Sequence, residues 1–201
     1  GSLLDTDLPV NALYVLAPAP PSEAGNATPV DLAISLPDVA PGLDTNRIAV
    51  LTGRQLDYYR AARWGGLTSE VVQTFLVDSF EDQHLFRSVT SDQTRVAGDY
   101  ILDVALRDFQ AEYSGSERAP SVHVKMIGRL IRVVDRELVA TIDAEARASA
   151  GDNRMRAVAA AFERAAQQVV VELARETAVA VAGDASTLSS ARDERNLAAS
   201  P

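Results

Sequence analysis

The chain has 201 residues, and its 19 lysines and arginines against 28 aspartates and glutamates give a formal net charge of −9. This charge repels phosphate backbones, and the arginines form no basic stripe, which argues against a nucleic-acid reader. The absence of cysteine rules out a thiol nucleophile, a cysteine-ligated zinc and a disulfide framework. With 47% hydrophobic residues, the chain can bury a globular core without metal or disulfide support.

The first 45 residues are rich in loops and contain seven of the nine prolines. Two short apolar runs, over residues 12–16 and 30–36, predict strands in this region, and the flanking prolines suit strand ends or edges. Residues 46–60 predict a hairpin with a short turn at Thr52–Arg54.

Beyond Gly65 the hydrophobic period changes to that of a helix. Thr68 or Ser69 is expected to cap a helix that runs to about Asp82, and a strand is expected to follow over residues 85–90.

Three longer strands are predicted next, because apolar and polar residues alternate over 99–113, 122–130 and 138–146. The alternation changes phase in the first of them, which predicts a β-bulge near Asp108. Asp135 and Arg136 predict a hairpin turn between the second and third strands.

The last periodic segment predicts a long helix, capped by Asp152 or Asn153 and ended by Gly183. The polar residues after Gly183 carry little apolar surface and indicate a tail. These elements predict an α+β fold: a single domain with a mainly antiparallel sheet and two principal helices packed on one face.

The sequence offers little material for catalysis. His84 is expected to interact with the end of the first helix, and His123 is expected to face solvent from its strand. Asp143 and Glu145 share a polar strand face. Because no recognised catalytic, phosphate-binding or metal-binding motif occurs, we expect no enzyme activity, no cofactor and no metal.

One segment has a composition unlike that of an ordinary protein surface: residues 56–64 contain the single tryptophan and two of the five tyrosines. We interpret Tyr58, Tyr59, Arg63 and Trp64 as part of a surface that contacts a partner protein or a second copy of the chain, since aromatic residues and arginine are enriched at interfaces. The alternative is that Trp64 covers the start of the first helix.

Several short motifs carry a family resemblance. They are Tyr14–Pro18, Asn46–Val50, Leu56–Tyr59 with Ala62–Trp64, Tyr100–Leu102 and Leu106–Tyr113. In this order they resemble the ABC-type transport auxiliary lipoproteins, which include the paraquat-inducible lipoprotein component, over about residues 12–180.

The resemblance implies a non-enzymatic periplasmic lipoprotein of a Gram-negative bacterium, anchored to the outer membrane. Its implied partners are an MCE-domain (mammalian-cell-entry) protein and the ABC permease and ATPase of a lipid transport system. It also implies a lipidated cysteine before Gly1, which would make residues 1–11 a tether, 12–182 the auxiliary domain and 183–201 a polar tail. Such an anchor alone would give lasting membrane attachment.

Two other functions stay open from the sequence. The small residues over 159–166 would leave room for an acyl chain between helix and sheet, which would make the protein a lipid carrier. The scattered carboxylates are the sole basis for an envelope hydrolase.

Overall fold

The structure is a computed structural model that describes residues 12–22, 27–94, 98–115 and 118–198, with side chains up to residue 190. The predicted tether, residues 1–11, lies outside these residues. The described strands are β1 (Ala12–Tyr14), β2 (Thr28–Ile34), β3 (Asp38–Val39), β4 (Arg47–Thr52), β5 (Gln55–Trp64), β6 (Phe86–Ser91), β7 (Tyr100–Tyr113), β8 (Ser121–Arg132) and β9 (Glu137–Ser149). The helices are α1 (Thr68–Asp82) and α2 (Met155–Ala198).

All nine described strands form one open sheet built around the long strand β7. One edge of β7 pairs with the antiparallel β8–β9 hairpin. Along its other edge, β7 pairs in parallel with three short strands: β2 near Tyr100, β3 near Ala105 and β4 near Ala111. Strand β6 extends the sheet beyond β2, and β5 and β1 extend it beyond β4.

The α+β class, the single domain and the two principal helices are confirmed. The longest pairings are antiparallel, as predicted, whereas five short pairings are parallel. The predicted bulge lies at Arg107, between the pairings of Leu106 and Asp108. Arg136 forms the predicted β8–β9 turn and adopts a left-handed φ of +61°.

Both helices cover the same face of the sheet and contact each other. The predicted cap of α1 differs in detail: Leu67 is the N-cap residue, and the Asp44 carboxylate accepts a hydrogen bond from the Ser69 amide at 3.0 Å. The core between α2 and the sheet includes fully buried Val158, Phe162 and Leu106.

Helix α2 does not end at Gly183, which corrects the sequence prediction. Glycine costs a helix about 1 kcal/mol relative to alanine, and here the loss is offset by contacts made one residue later. Asp184 accepts hydrogen bonds from Arg132 at 2.5 Å and from the Tyr100 hydroxyl at 2.7 Å. From Ala185 to Ser190 every residue is exposed, so the predicted tail begins as a helical extension.

Candidate interaction surfaces

The indole of Trp64 belongs to the core, where only 2% of the residue is exposed. Its ring centroid lies 5.2 Å from that of Phe162 on α2 and 5.4 Å from that of Phe109 on β7. We therefore correct the expectation that Trp64 lies on a contact surface: its side chain joins helix and sheet and leaves no face for a partner.

Tyr58 is half-buried, and its side chain contacts the loop that precedes β4. Its hydroxyl donates to the carbonyl oxygen of Gly42 at 2.7 Å, and the Arg47 guanidinium lies 3.8 Å from the centre of its ring. Gly42 has a φ of +84°, a conformation that favours glycine. Tyr58 thus holds the loop before β4 against β5.

Arg63 fixes a bulge in β5. Tyr58 pairs with Ala49 and Arg63 pairs with Arg47, so residues 59–62 of β5 lie opposite one residue of β4. The Arg63 guanidinium bends back and donates to the carbonyl oxygens of Tyr59, Arg60 and Ala62 at 3.1, 3.2 and 2.8 Å. These bonds satisfy carbonyls that the β4 ladder cannot reach.

Tyr59 is the first residue of this bulge, and its side chain lines a pocket of about 300 Å³. Its hydroxyl is buried and has no hydrogen-bond partner among the described residues. Burial, with a smaller contribution from the nearby Tyr113 hydroxyl, raises the pKa of Tyr59 above its usual range. The pocket is otherwise lined by Ala12, Tyr14, Arg60, Ala61, Ala62 and Met155.

Two exposed apolar residues lie at this edge of the sheet, Leu13 within β1 and Val15 one residue beyond it. Because side chains alternate along an extended segment, Leu13 and Val15 point to the opposite side from Ala12 and Tyr14, which line the pocket. Leu13 is 70% exposed and Val15 is 77% exposed. Strand β1 pairs in parallel with Ala62–Trp64 along one of its edges. We call this region the β1–β5 surface and define it as Leu13, Val15, Tyr59, Arg60 and Ala61. It combines exposed apolar groups with an arginine, a composition that interfaces favour.

A second feature lies on the sheet face that the helices leave uncovered. His123 on β8 is buried, which corrects the expectation that it faces solvent. Its Nδ1 lies 3.0 Å from Glu112 on β7, and its Nε2 lies 2.7 Å from Glu145 on β9. Arg147 and Lys125 flank the ring and also contact these carboxylates. Side chains from three adjacent strands thus enclose the imidazole.

Hydrogen-bond donors of this network lower the pKa values of two of its carboxylates. Hydrogen bonds from His123 and then Lys125 lower the pKa of Glu145. For Glu112, burial alone would raise the pKa, but hydrogen bonds from Arg147, Gln110 and His123 outweigh it and lower the pKa.

The same network contains a set of groups that could hold a metal ion. Ligand atoms of Asp108, Glu112 and His123 lie within 4.8 Å of one another. Arg147 and Gln110 donate to the same carboxylates, so protein donors already supply the positive charge and hydrogen bonds that a cation would bring. Because protein donors already occupy these carboxylates, the three residues do not indicate a metal site.

The sequence contains a pattern that indicates this network, although the alternation around His123 alone predicted that its side chain faces solvent. Polar residues recur at every second position on β7, β8 and β9, so all of them share one sheet face. Pairing places charges of opposite sign beside His123, and long neighbouring side chains bury a residue that no helix covers.

Within the described residues, neither helix has the length and apolar character required to cross a bilayer. A search of the curated proteins found no match to the chain. The model of the ABC-type transport auxiliary lipoprotein components matches residues 14–174. The chain belongs to this family.

Two solved structures are similar to this chain. The first supports the family membership, and the second shows a likeness of fold alone. Protein XCC0632 from Xanthomonas campestris is 26% identical, with a TM-score of 0.80 over 87% of this chain and 99% of that one. An uncharacterized protein is 15% identical, with a TM-score of 0.63 over 83% of this chain and 98% of that one, and shows the likeness of fold alone.

As an auxiliary lipoprotein component, the protein serves ABC-type transport at the cell envelope. The matched residues include the last residue of β1, Tyr14, the bulge of β5 and the His123 network. An auxiliary component assists a transporter, and the family therefore favours a non-enzymatic role for the chain.

Proposed function

We propose that this protein is a non-enzymatic periplasmic lipoprotein that links or stabilises an MCE-type ABC lipid transporter at the outer membrane of a Gram-negative bacterium. The family match over residues 14–174 carries the proposal, and the five resembling motifs support its narrower form. The proposed partners are the MCE-domain protein and the permease and ATPase that work with it.

We further propose that the β1–β5 surface contacts this partner. Leu13 and Val15 supply exposed apolar area, and Arg60 and Ala61 are exposed in the bulge of the neighbouring strand β5. Tyr58 and Arg63 shape the surface from within, through bonds to loop and bulge carbonyls. Trp64 supports it from the core.

The packing of α2 favours this docking role over the lipid-carrier alternative. The small residues Ala161, Ala165 and Ala166 are fully buried. A Cβ atom at Gly128 on β8 would lie 2.8 Å from Leu173 Cδ1 and 3.1 Å from Leu102 Cδ1. The small residues therefore allow helix and sheet to approach closely, which leaves little space for an acyl chain at this point.

The proposal is tested by affinity purification of the tagged full-length lipoprotein from cross-linked envelopes of its own bacterium. Mass spectrometry should find the MCE-domain protein and its permease and ATPase enriched over an unrelated outer-membrane lipoprotein. Equal recovery with both baits would contradict the proposed partners. Native mass spectrometry of the purified protein tests the alternative, since a lipid adduct would favour the carrier.

A further inference from the structure

Strand β1 lies at one end of the sheet, and its outer edge pairs with no other described strand. Along its inner edge β1 pairs in parallel with Ala62–Trp64, and the Gly65 amide donates to the Tyr14 carbonyl oxygen at 3.1 Å. In a parallel ladder, every second residue directs its N–H and C=O groups to the same neighbour. Because Tyr14 bonds to β5, Leu13 directs these groups outward, and so does Val15 where the chain stays extended.

The outward groups of Leu13 and Val15 bond to no residue in the part of the chain that the structure describes. The Ala17 amide, two residues further on, donates to a Glu163 carboxylate oxygen at 2.9 Å. Pro18 follows and has no N–H to offer. The free edge is thus confined to the residues before Ala17.

The free edge of β1 carries few of the features that prevent strand addition. Residues 12–16 contain no charged residue and no proline, and the β1–β5 pairing has no register shift. Natural edges are protected by charges, proline, bulges or a short length, and of these β1 has only the short length. Three residues offer few backbone bonds, so an added strand needs side-chain contacts as well.

We propose that the partner at the β1–β5 surface contributes an extended segment, which pairs with the free edge of β1 as an added strand. This inference rests on the proposed function and names the mode of contact at that surface. Outward N–H and C=O groups at every second residue fit such a segment, because another strand presents acceptors and donors at the matching spacing.

Side chains on both faces of β1 define the chemistry of the added segment. Leu13 and Val15 are exposed on one face, whereas Ala12 and Tyr14 line the 300 Å³ pocket with Tyr59 on the other. Side chains of the added strand alternate between the same two faces. The segment should therefore carry apolar residues beside Leu13 and Val15, and a large apolar residue between them that enters the pocket.

Replacement of Leu13 by proline tests the backbone contribution. Leu13→Pro removes an N–H that β5 does not use, so the fold should persist, as circular dichroism will show. The matched control Leu13→Val keeps both the N–H and an apolar side chain. Leu13→Pro should raise the Kd for the MCE-domain protein of the same bacterium at least about tenfold, and Leu13→Val should change it less than about twofold.

Two outcomes of this comparison separate the inference from the proposed function. Equal Kd values for folded Leu13→Pro and Leu13→Val would overturn strand addition and leave the proposed partner in place. No binding by the unmodified chain would contradict the proposed function, and this mode of contact with it. Val15→Pro against Val15→Ile repeats the comparison if Leu13→Pro fails to fold.

Amide hydrogen exchange, followed by mass spectrometry of peptides that cover residues 12–16, tests the same edge without any substitution. The Leu13 and Val15 amides should exchange quickly in the free chain and slowly in the complex with the MCE-domain protein. Slow exchange in the free chain would overturn the proposal, because the edge would already be paired within the chain or with a second copy. Fast exchange in the complex would overturn it as well.

Discussion

At the scale of single residues, the four side chains of the aromatic segment differ in what they contact. Composition alone predicted a surface feature, because tryptophan, tyrosine and arginine concentrated in residues 56–64. Trp64 instead completes the core, while Tyr58 and Arg63 hold backbone carbonyls. The sequence could not distinguish these uses, since the core partners of Trp64 are 45 and 98 residues away, at Phe109 and Phe162.

Replacing Trp64 with alanine is expected to destabilise the fold by about 3–5 kcal/mol, because it removes contacts with two rings and leaves a cavity. Urea denaturation followed by circular dichroism measures this loss. Trp64→Phe, which keeps one ring, should lose less. A loss under about 1 kcal/mol for Trp64→Ala, the size expected of a surface substitution, would contradict the core assignment.

Asp31 and Arg87 give a prediction of pH dependence. Hydrogen bonds from Arg87, and then from Ser88, lower the pKa of Asp31 to about 2. A lowered folded pKa contributes stability that is present above the ordinary value of 3.8 and is lost as the pH falls toward 2. Arg87→Gln should raise the Asp31 pKa, measured by carboxyl NMR titration. The exposed turn variant Arg54→Gln is the control, and an unchanged pKa in Arg87→Gln would contradict the assignment.

At the scale of elements, periodicity predicted most of the fold. The β4–β5 hairpin, helix α1, the bulge in β7 and the β8–β9 turn follow from local alternation, phase shifts and turn residues. The parallel pairings of β1, β2, β3 and β4 were not predicted, because they join strands far apart in sequence. Gly183 was misleading for a similar reason: the Asp184 contacts that continue α2 involve Tyr100 and Arg132.

Replacing Asp184 with asparagine tests this anchor of α2. Burial, followed by the hydrogen bond to Asp184, raises the pKa of Tyr100 to about 12. A raised folded pKa gives stability that is full below the ordinary value of 10 and is lost as the pH rises toward 12. Asp184→Asn should lower the Tyr100 pKa, measured by tyrosine NMR, and should cost about 1–3 kcal/mol at neutral pH.

Ser186→Ala provides the matched control, since Ser186 lies one half-turn along α2 and its hydroxyl donates to the Ala182 carbonyl oxygen of the same helix. An unchanged Tyr100 pKa in Asp184→Asn would contradict the anchor.

At the scale of the whole molecule, the stabilising core, the buried polar network and the proposed partner contact lie in three different regions. The core between the helices and the sheet stabilises the fold, and the uncovered sheet face carries the His123 network. The β1–β5 surface is the proposed partner contact. Family membership was predictable from motifs spread along the chain, whereas the contact surface depends on the pairing of β1 with β5, which local sequence does not reveal.

The affinity of the full chain for the MCE-domain protein of its own bacterium tests the central claim most directly. Leu13→Asp places a charge on the β1–β5 surface, and Val134→Asp is the matched control at an 86% exposed position in the β8–β9 turn. We expect Leu13→Asp to raise the Kd at least about tenfold, equivalent to about 1.4 kcal/mol, and Val134→Asp to leave it unchanged. Equal affinities for both variants and the unmodified chain would contradict the claim.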